Sequence, residues 1–183
     1  MTCIVGYADG KYVWLAGDAS ANGINDAIST ITVPKVFKKG KMLFGFCQSF
    51  RMGQILQYCF DPPEDNRDDP NEYFVCDFIP ALKRIYAQHE YEASGENHGA
   101  IIVGYKGRLF TIEEDFGVLS DTSMYTSIGS GSDVALGAMC ALYETVKDPV
   151  ILLIKALSIS EKHISTVRKP FTIVSTKKDK NEK

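Results

Sequence analysis

Thr2 stands directly after Met1 in the sequence Met1-Thr2-Cys3-Ile4. Aminopeptidases remove an initiator methionine when the next residue is small. The product would carry a free α-amine and a hydroxyl on one residue. An α-amine titrates at about 7.7–8.0, so part of it is neutral near neutral pH. It can then take the proton from its own Oγ, directly or through one water. A threonine hydroxyl is too weak a nucleophile without such a base. Thr at position 2 is also common without chemical meaning, so other residues must support this reading.

Three features do. Asp18 closes Ala16-Gly17-Asp18 at the end of the second expected strand, where a hairpin would return it beside Thr2; an aspartate there is also an ordinary turn residue. Lys35 lies in Pro34-Lys35-Val36-Phe37, inside an apolar β run. It either points to solvent or, buried beside Asp18, supplies a fixed positive charge near Thr2. Such a charge favours an alkoxide-like transition state and discourages the amine from keeping a proton. The stretch 128–138, IGSGSDVALGA, places small residues where a strand meets a helix. Its N–H groups and hydroxyls can face a site, or Ser130 or Ser132 simply caps the helix.

The elements that would position these residues follow from periodicity. Residues 2–8 and 11–17 read as strands joined at Asp9-Gly10, apolar at nearly every position and therefore covered on both faces. DASANGIND reads as a loop, 28–37 as a β-rich run broken by Pro34, and MLFGFC as a strand. Helical spacing runs from Ser49 to Phe60 and from Tyr73 to His89, with a kink expected at Pro80; 61–70 is an acidic loop. A hairpin turned at Lys106-Gly107 and short strands near 116–119 and 124–128 come next. Helices over 132–147 and 150–165 and a last strand, PFTIVS, complete the order. Blocks of strands and helices segregated in this way predict an α+β architecture, two facing sheets with a helix pair on each outer side.

The chain of 183 residues has 45% hydrophobic and 23% charged residues, enough for one cored domain over 1–176, with a charged tail, 177–183, expected to be disordered. A net charge of -3 argues against a nucleic-acid partner. No apolar run reaches membrane-spanning length and the N-terminus lacks a basic leader, so no membrane association and a cytoplasmic location are expected. Five scattered cysteines without a CxxC pair, and the isolated His89, His98 and His163, give no metal-ligand spacing. No metal or cofactor is expected.

In order and spacing these motifs resemble the β-type proteasome subunits and most closely HslV, over nearly the whole chain. Thr2-Cys3-Ile4-Val5 is similar to that family's mature start, and the spacing to Ala16-Gly17-Asp18 matches without a gap. Lys35-Val36, Gly45-Phe46 and Ile128-Gly129-Ser130-Gly131 match in turn. The phrase GFCQSFRMGQ also resembles proteasome-like proteins carried by some bacteriophages. The resemblance implies the four-layer αββα sandwich of the N-terminal nucleophile (Ntn) hydrolases. It implies Thr2 as nucleophile and base, Asp18 as the partner that orients Lys35, Lys35 as the charge that lowers the pKa of the Thr2 hydroxyl, and Ser130 as the hydrogen-bond partner of the α-amine. Gln48 would supply an oxyanion N–H, with Gly129 and Gly131 in the pocket. It further implies a threonine peptidase or amidase in a self-compartmentalising homo-oligomeric ring, acting on peptides or unfolded proteins, with an AAA+ ATPase as a partner. Two departures stand out. Cys47-Gln48-Ser49-Phe50-Arg51 replaces the family's glycine-rich oxyanion segment, and Thr166-Val167-Arg168 replaces an acid and serine after the fourth helix. A catalytically silent ring subunit and a small-molecule Ntn amidohydrolase are the alternatives. The apolar helix face from Phe50 to Phe60 is a candidate assembly surface, or plain core.

Overall fold

In the computed structural model, residues 2–22, 28–92, 99–120 and 122–177 are described. Strands β1 (Ile4–Ala8) and β2 (Val13–Gly17) pair antiparallel with Ala8 opposite Val13. The turn between them spans Asp9 to Tyr12 because the Asp9 carboxylate accepts the N–H groups of Lys11 and Tyr12, at 2.9 and 2.7 Å. The return strand therefore begins at Val13 and not at Lys11. Short β3 (Ser20–Asn22) pairs with β4 (Ile28–Thr30), so part of the expected DASANGIND loop is strand; residues 23–26 of that loop lie outside the described residues.

β5 (Val36–Lys39), β6 (Met42–Phe46), β7 (Ile101–Tyr105), β8 (Arg108–Ile112) and β9 (Val118–Leu119) form a five-stranded sheet in that order. With β10 (Tyr125–Ile128) and β11 (Thr172–Ser175), the first hairpin makes the second sheet, ordered β10-β1-β2-β11. Ile4, Val13, Leu15, Val36, Leu43, Ile102 and Leu109 fill the space between the sheets. Alternate residues of the first hairpin, Cys3, Val5, Trp14 and Ala16, face helices α4 (Ser132–Leu142) and α5 (Pro149–His163). On the other outer side Phe44, Phe46, Val103 and Phe110 pack on α1 (Phe50–Tyr58), α2 (Pro70–Tyr73) and α3 (Ile79–Gln88). The period-2 alternation of strands covered on both faces thus produces an αββα sandwich, as expected.

The second helical region begins at Pro70, capped by Asp69, and continues through a π-helical stretch, Phe74–Phe78, into α3. Pro80 has no N–H and its ring crowds the carbonyl four residues back; the wider π turn just before it absorbs this misfit where a kink was expected. Helix α4 ends at Leu142, five residues before the expected end, and Val146 still packs on its core from the following turn. On α1, Met52, Ile55 and Leu56 are buried beneath the five-stranded sheet. That face is core, which sets aside its reading as an assembly surface. Beside the start of β1, a Cβ on Gly17 would lie 2.7 Å from Cδ1 of Ile4, its partner across the β1–β2 hairpin, and 3.2 Å from Val36 Cγ1 of the facing sheet. Glycine leaves room there for both side chains, while the β1–β2 pairing sets Asp18 against the chain's first residues, with Asp18 N donating to Cys3 O at 3.2 Å.

Candidate active site

Thr2 is 3% exposed and precedes β1 at one end of the four-stranded sheet. Its backbone is held on both sides. The Thr2 N–H donates to Ser130 Oγ at 3.2 Å, and the Thr2 carbonyl accepts from Gly131 N at 3.2 Å and from Ser130 Oγ at 3.3 Å. Ser130 can serve Thr2 because β1 pairs with β10, setting Ile4 opposite Ile128, so the segment after β10 runs alongside the segment before β1. The cap of α4 falls on Gly131 and no side chain caps it, so the alternative of a serine cap does not hold. Ser160 Oγ, from α5, anchors the same junction by donating to Gly131 O at 3.0 Å.

Asp18 and Lys35 meet in a buried ion pair, Nζ to Oδ1 at 2.9 Å, with both side chains fully shielded from solvent. Lys35 therefore points inward. The same Oδ1 accepts Cys3 N at 2.9 Å, while Oδ2 accepts Ser20 N at 3.0 Å and Arg168 N at 3.3 Å. Four donors surround one carboxylate, which is what a buried anion requires to be tolerable. Burial pushes the Lys35 pKa below the usual lysine range, and the Asp18 charge and hydrogen bond oppose that shift. Buried ion pairs contribute little net stability because desolvation consumes the Coulomb gain. One hydrogen bond through Asp18 Oδ1 ties this pair to the residue following Thr2.

Thr2, Gln48, Gly129 and Ser130 line an open cleft of about 520 Å³ together with Cys47, Glu113 and Glu114. Gln48 sits at φ +67°, a left-handed conformation that a side-chain-bearing residue adopts at a cost of about 1–3 kcal/mol. Its neighbours' N–H groups are used: Cys47 N donates to Ala100 O and Ser49 N to Cys47 O. Among the described residues the Gln48 N–H has no acceptor, and Gln48 borders the cleft. The Cys47-Gln48 segment therefore leaves a backbone donor available, at the cost of local strain. Gly129 takes φ +95°, and a Cβ there would stand 2.3 Å from the Thr2 carbonyl oxygen. Gly129→Ala should displace Thr2 and lower stability by about 2–4 kcal/mol; thermal unfolding of the variant checks this, and an unchanged melting temperature would refute it.

Thr2, Asp18, Lys35, Ser130, Gln48, Gly129 and Gly131 are thus brought to one end of the sheets. Sequence reasoning passed over Thr166, noted only as a replacement. Its Oγ1 lies 2.8 Å from Ser130 Oγ, and its carbonyl accepts from Ser20 Oγ, linking Ser130 to the strand after Asp18. The hydroxyl of Thr166, just after the last helix, was the available signal. Among the described residues, no group of three His, Cys, Asp or Glu side chains could hold a metal ion, and no helix is long and apolar enough to cross a membrane. A cleft near Lys39 and Tyr105 and another beside Tyr86 and Phe116 gather no comparable nucleophile and buried ion pair among their lining residues.

This architecture is shared with solved structures of Ntn type. BPH of Thiobacillus denitrificans in complex with epoxomicin superposes at a TM-score of 0.79 with 17% identity, over 95% of this chain and 97% of that one. Eukaryotic HslV from Trypanosoma brucei gives 0.68 and 18%, over 95% and 98%. Anbu, an ancestral beta-subunit from Yersinia bercovieri, gives 0.70 and 16%, over 95% and 81%. No protein-family model matches the sequence, and no curated protein matches it either. The chain has the αββα sandwich of the Ntn hydrolases; identities this low show the fold and no more.

Proposed function

We propose that the chain is a threonine peptidase or amidase of the proteasome and HslV kind, with Thr2 as N-terminal nucleophile once Met1 is removed. The observation that carries this reading is the placement of Thr2: buried at the edge of an open cleft, hydrogen-bonded to Ser130, and one residue from a nitrogen that shares a carboxylate oxygen with Lys35. In the reaction the neutral α-amine takes the Oγ proton as Oγ bonds to the substrate carbonyl carbon. The Gln48 N–H donates to the resulting oxyanion. Collapse breaks the C–N bond, the amine's proton passes to the leaving nitrogen, and an ester on Thr2 remains. Water, deprotonated by the same amine, then releases the acid and restores Thr2. Lys35 places a fixed positive charge behind the nucleophile, and Asp18 holds it in place.

Cys47 lines the same cleft and is the competing nucleophile. Burial pushes its thiol pKa above the usual range, and the charges of Glu114 and Glu113 push the same way against a hydrogen bond to Ala100 and the positive N-terminus. Burial also raises the Cys3 thiol, to about 11. Protonated thiols are poor nucleophiles, so the hydroxyl reading is favoured.

The substrates are peptides or unfolded protein chains, the assembly a ring of identical subunits in the cytoplasm, and the partner that feeds it an AAA+ ATPase. The likeness of GFCQSFRMGQ to proteins carried by bacteriophages supports a phage-type member. Protein made in bacteria should lose the mass of Met1 and cleave unfolded casein. Full retention of Met1 with no cleavage would favour the silent ring subunit, and activity confined to acyl amides the small-molecule amidohydrolase. Because the base is an amine, kcat/KM should rise as pH increases through an apparent pKa at or below about 8, the usual α-amine range. A rate that falls with pH over that interval would contradict an amine base.

A further inference from the structure

The hydrolytic chemistry leaves two carboxylates of the cleft unused. Glu113 and Glu114 follow the last residue of β8, Ile112, which pairs with Ile101 at the start of β7 next to the Cys47-Gln48 segment. The turn that presents them is closed on itself: Glu113 N donates to Gly117 O at 2.9 Å, Phe116 N to Glu113 O at 2.9 Å, and Gly117 N to Asp115 Oδ1 at 2.7 Å. The Phe116 ring wedges this turn against the core, 6.3 Å from the ring of Tyr86. Asp115 is thus spent on the turn, while Glu113, half-buried, and Glu114, exposed, line the cleft. Among the described residues neither carboxylate has a hydrogen-bond or ion-pair partner, and no Lys, Arg or His lines the cleft. Lys35, the nearby buried cation, is turned into Asp18. Both carboxylates act electrostatically on Cys47 at the cleft wall, so their field reaches the space beside Thr2.

We infer that Glu113 and Glu114 select substrates carrying a cationic side chain, arginine or lysine, within a residue or two of the attacked amide. This deepens the reading of Thr2 as nucleophile and rests on it. A cleft of about 520 Å³ lies within the usual range of binding pockets, about 300–1,000 Å³, and has room for an extended arginine side chain. Two unpaired carboxylates on one wall favour a cation by direct attraction and disfavour an acidic side chain by repulsion. The half-buried Glu113 contributes more than the exposed and more strongly screened Glu114.

The test uses fluorescent peptides that differ only in one residue beside the scissile bond, arginine or its neutral isostere citrulline. Binding is measured on the full-length Thr2→Ala protein, so it does not depend on turnover, and cleavage is measured on the parent protein. The arginine peptide should bind about 10–100-fold more tightly than the citrulline peptide at low salt. In Glu113→Gln/Glu114→Gln that ratio should fall to about 3-fold or less, with the larger share lost in Glu113→Gln alone. Circular dichroism confirms that the variants fold. Equal binding of the two peptides, or a ratio that survives in the double variant, overturns the inference. Cleavage without arginine preference leaves the Thr2 reading intact and removes only this one. A parent protein that binds the arginine peptide preferentially but neither cleaves it nor reacts at Thr2 sinks the nucleophile and leaves the charge selection standing.

Discussion

Thr2→Ala should abolish hydrolysis, with kcat reduced by about 10⁴-fold or more, while the protein folds and assembles as before. The hydroxyl is the only chemically competent group the substitution removes. Three bonds that do not involve the Thr2 side chain hold residue 2: its carbonyl accepts from Gly131 N and Ser130 Oγ, and its N–H donates to Ser130 Oγ. Alanine keeps all three bonds. It gives up a buried methyl and hydroxyl, which costs about 1–2 kcal/mol, too little to unfold the chain. The measurement pairs peptide turnover with thermal unfolding. Retained turnover in a well-folded variant would eliminate Thr2 as nucleophile and return attention to Cys47.

Lys35→Met should be almost as damaging to activity and far worse for stability. The substitution matches the length of the aliphatic stem but leaves Asp18 as a buried carboxylate with no counter-charge, fully shielded from solvent. Breaking a buried pair in this way costs about 3–5 kcal/mol, or a melting temperature lower by about 10 °C in a chain of this size. Activity should fall about 10³-fold, because the positive charge that favours the developing alkoxide is gone. The double variant Asp18→Asn/Lys35→Met separates the two effects. With both charges removed, stability should recover only in part, since the amide oxygen still accepts from Cys3 N while its NH2 leaves the N–H groups of Ser20 and Arg168 without an acceptor, and activity should not recover. If the double variant regained turnover, Lys35 would serve only to neutralise Asp18.

The sandwich was legible in the sequence because its strands and helices keep different periods in separate blocks, and apolar runs such as Val13–Gly17 can only be covered on both faces. The central cluster was legible for a different reason. Asp18 and Lys35 are charged residues inside otherwise apolar β sequence, and a charge in such a place needs either solvent or a partner. What stayed hidden depends on contacts between distant segments. Thr166 reaches Ser130 across 36 positions of sequence, and Ser160 reaches Gly131 from another helix. Glu113 and Glu114 look like an ordinary acidic turn until strand pairing sets them beside Cys47. The π turn before Pro80 escaped for a local reason: a proline announces that the helix must adapt, but not whether it kinks or widens.

The most direct test of the account is covalent capture. The wild-type protein, treated with a threonine-directed electrophile such as epoxomicin and digested, should yield one adduct, on an N-terminal peptide that begins at Thr2, and none in Thr2→Ala. Labelling that maps to Cys47, or a protein that keeps Met1 and takes up no label, would contradict it.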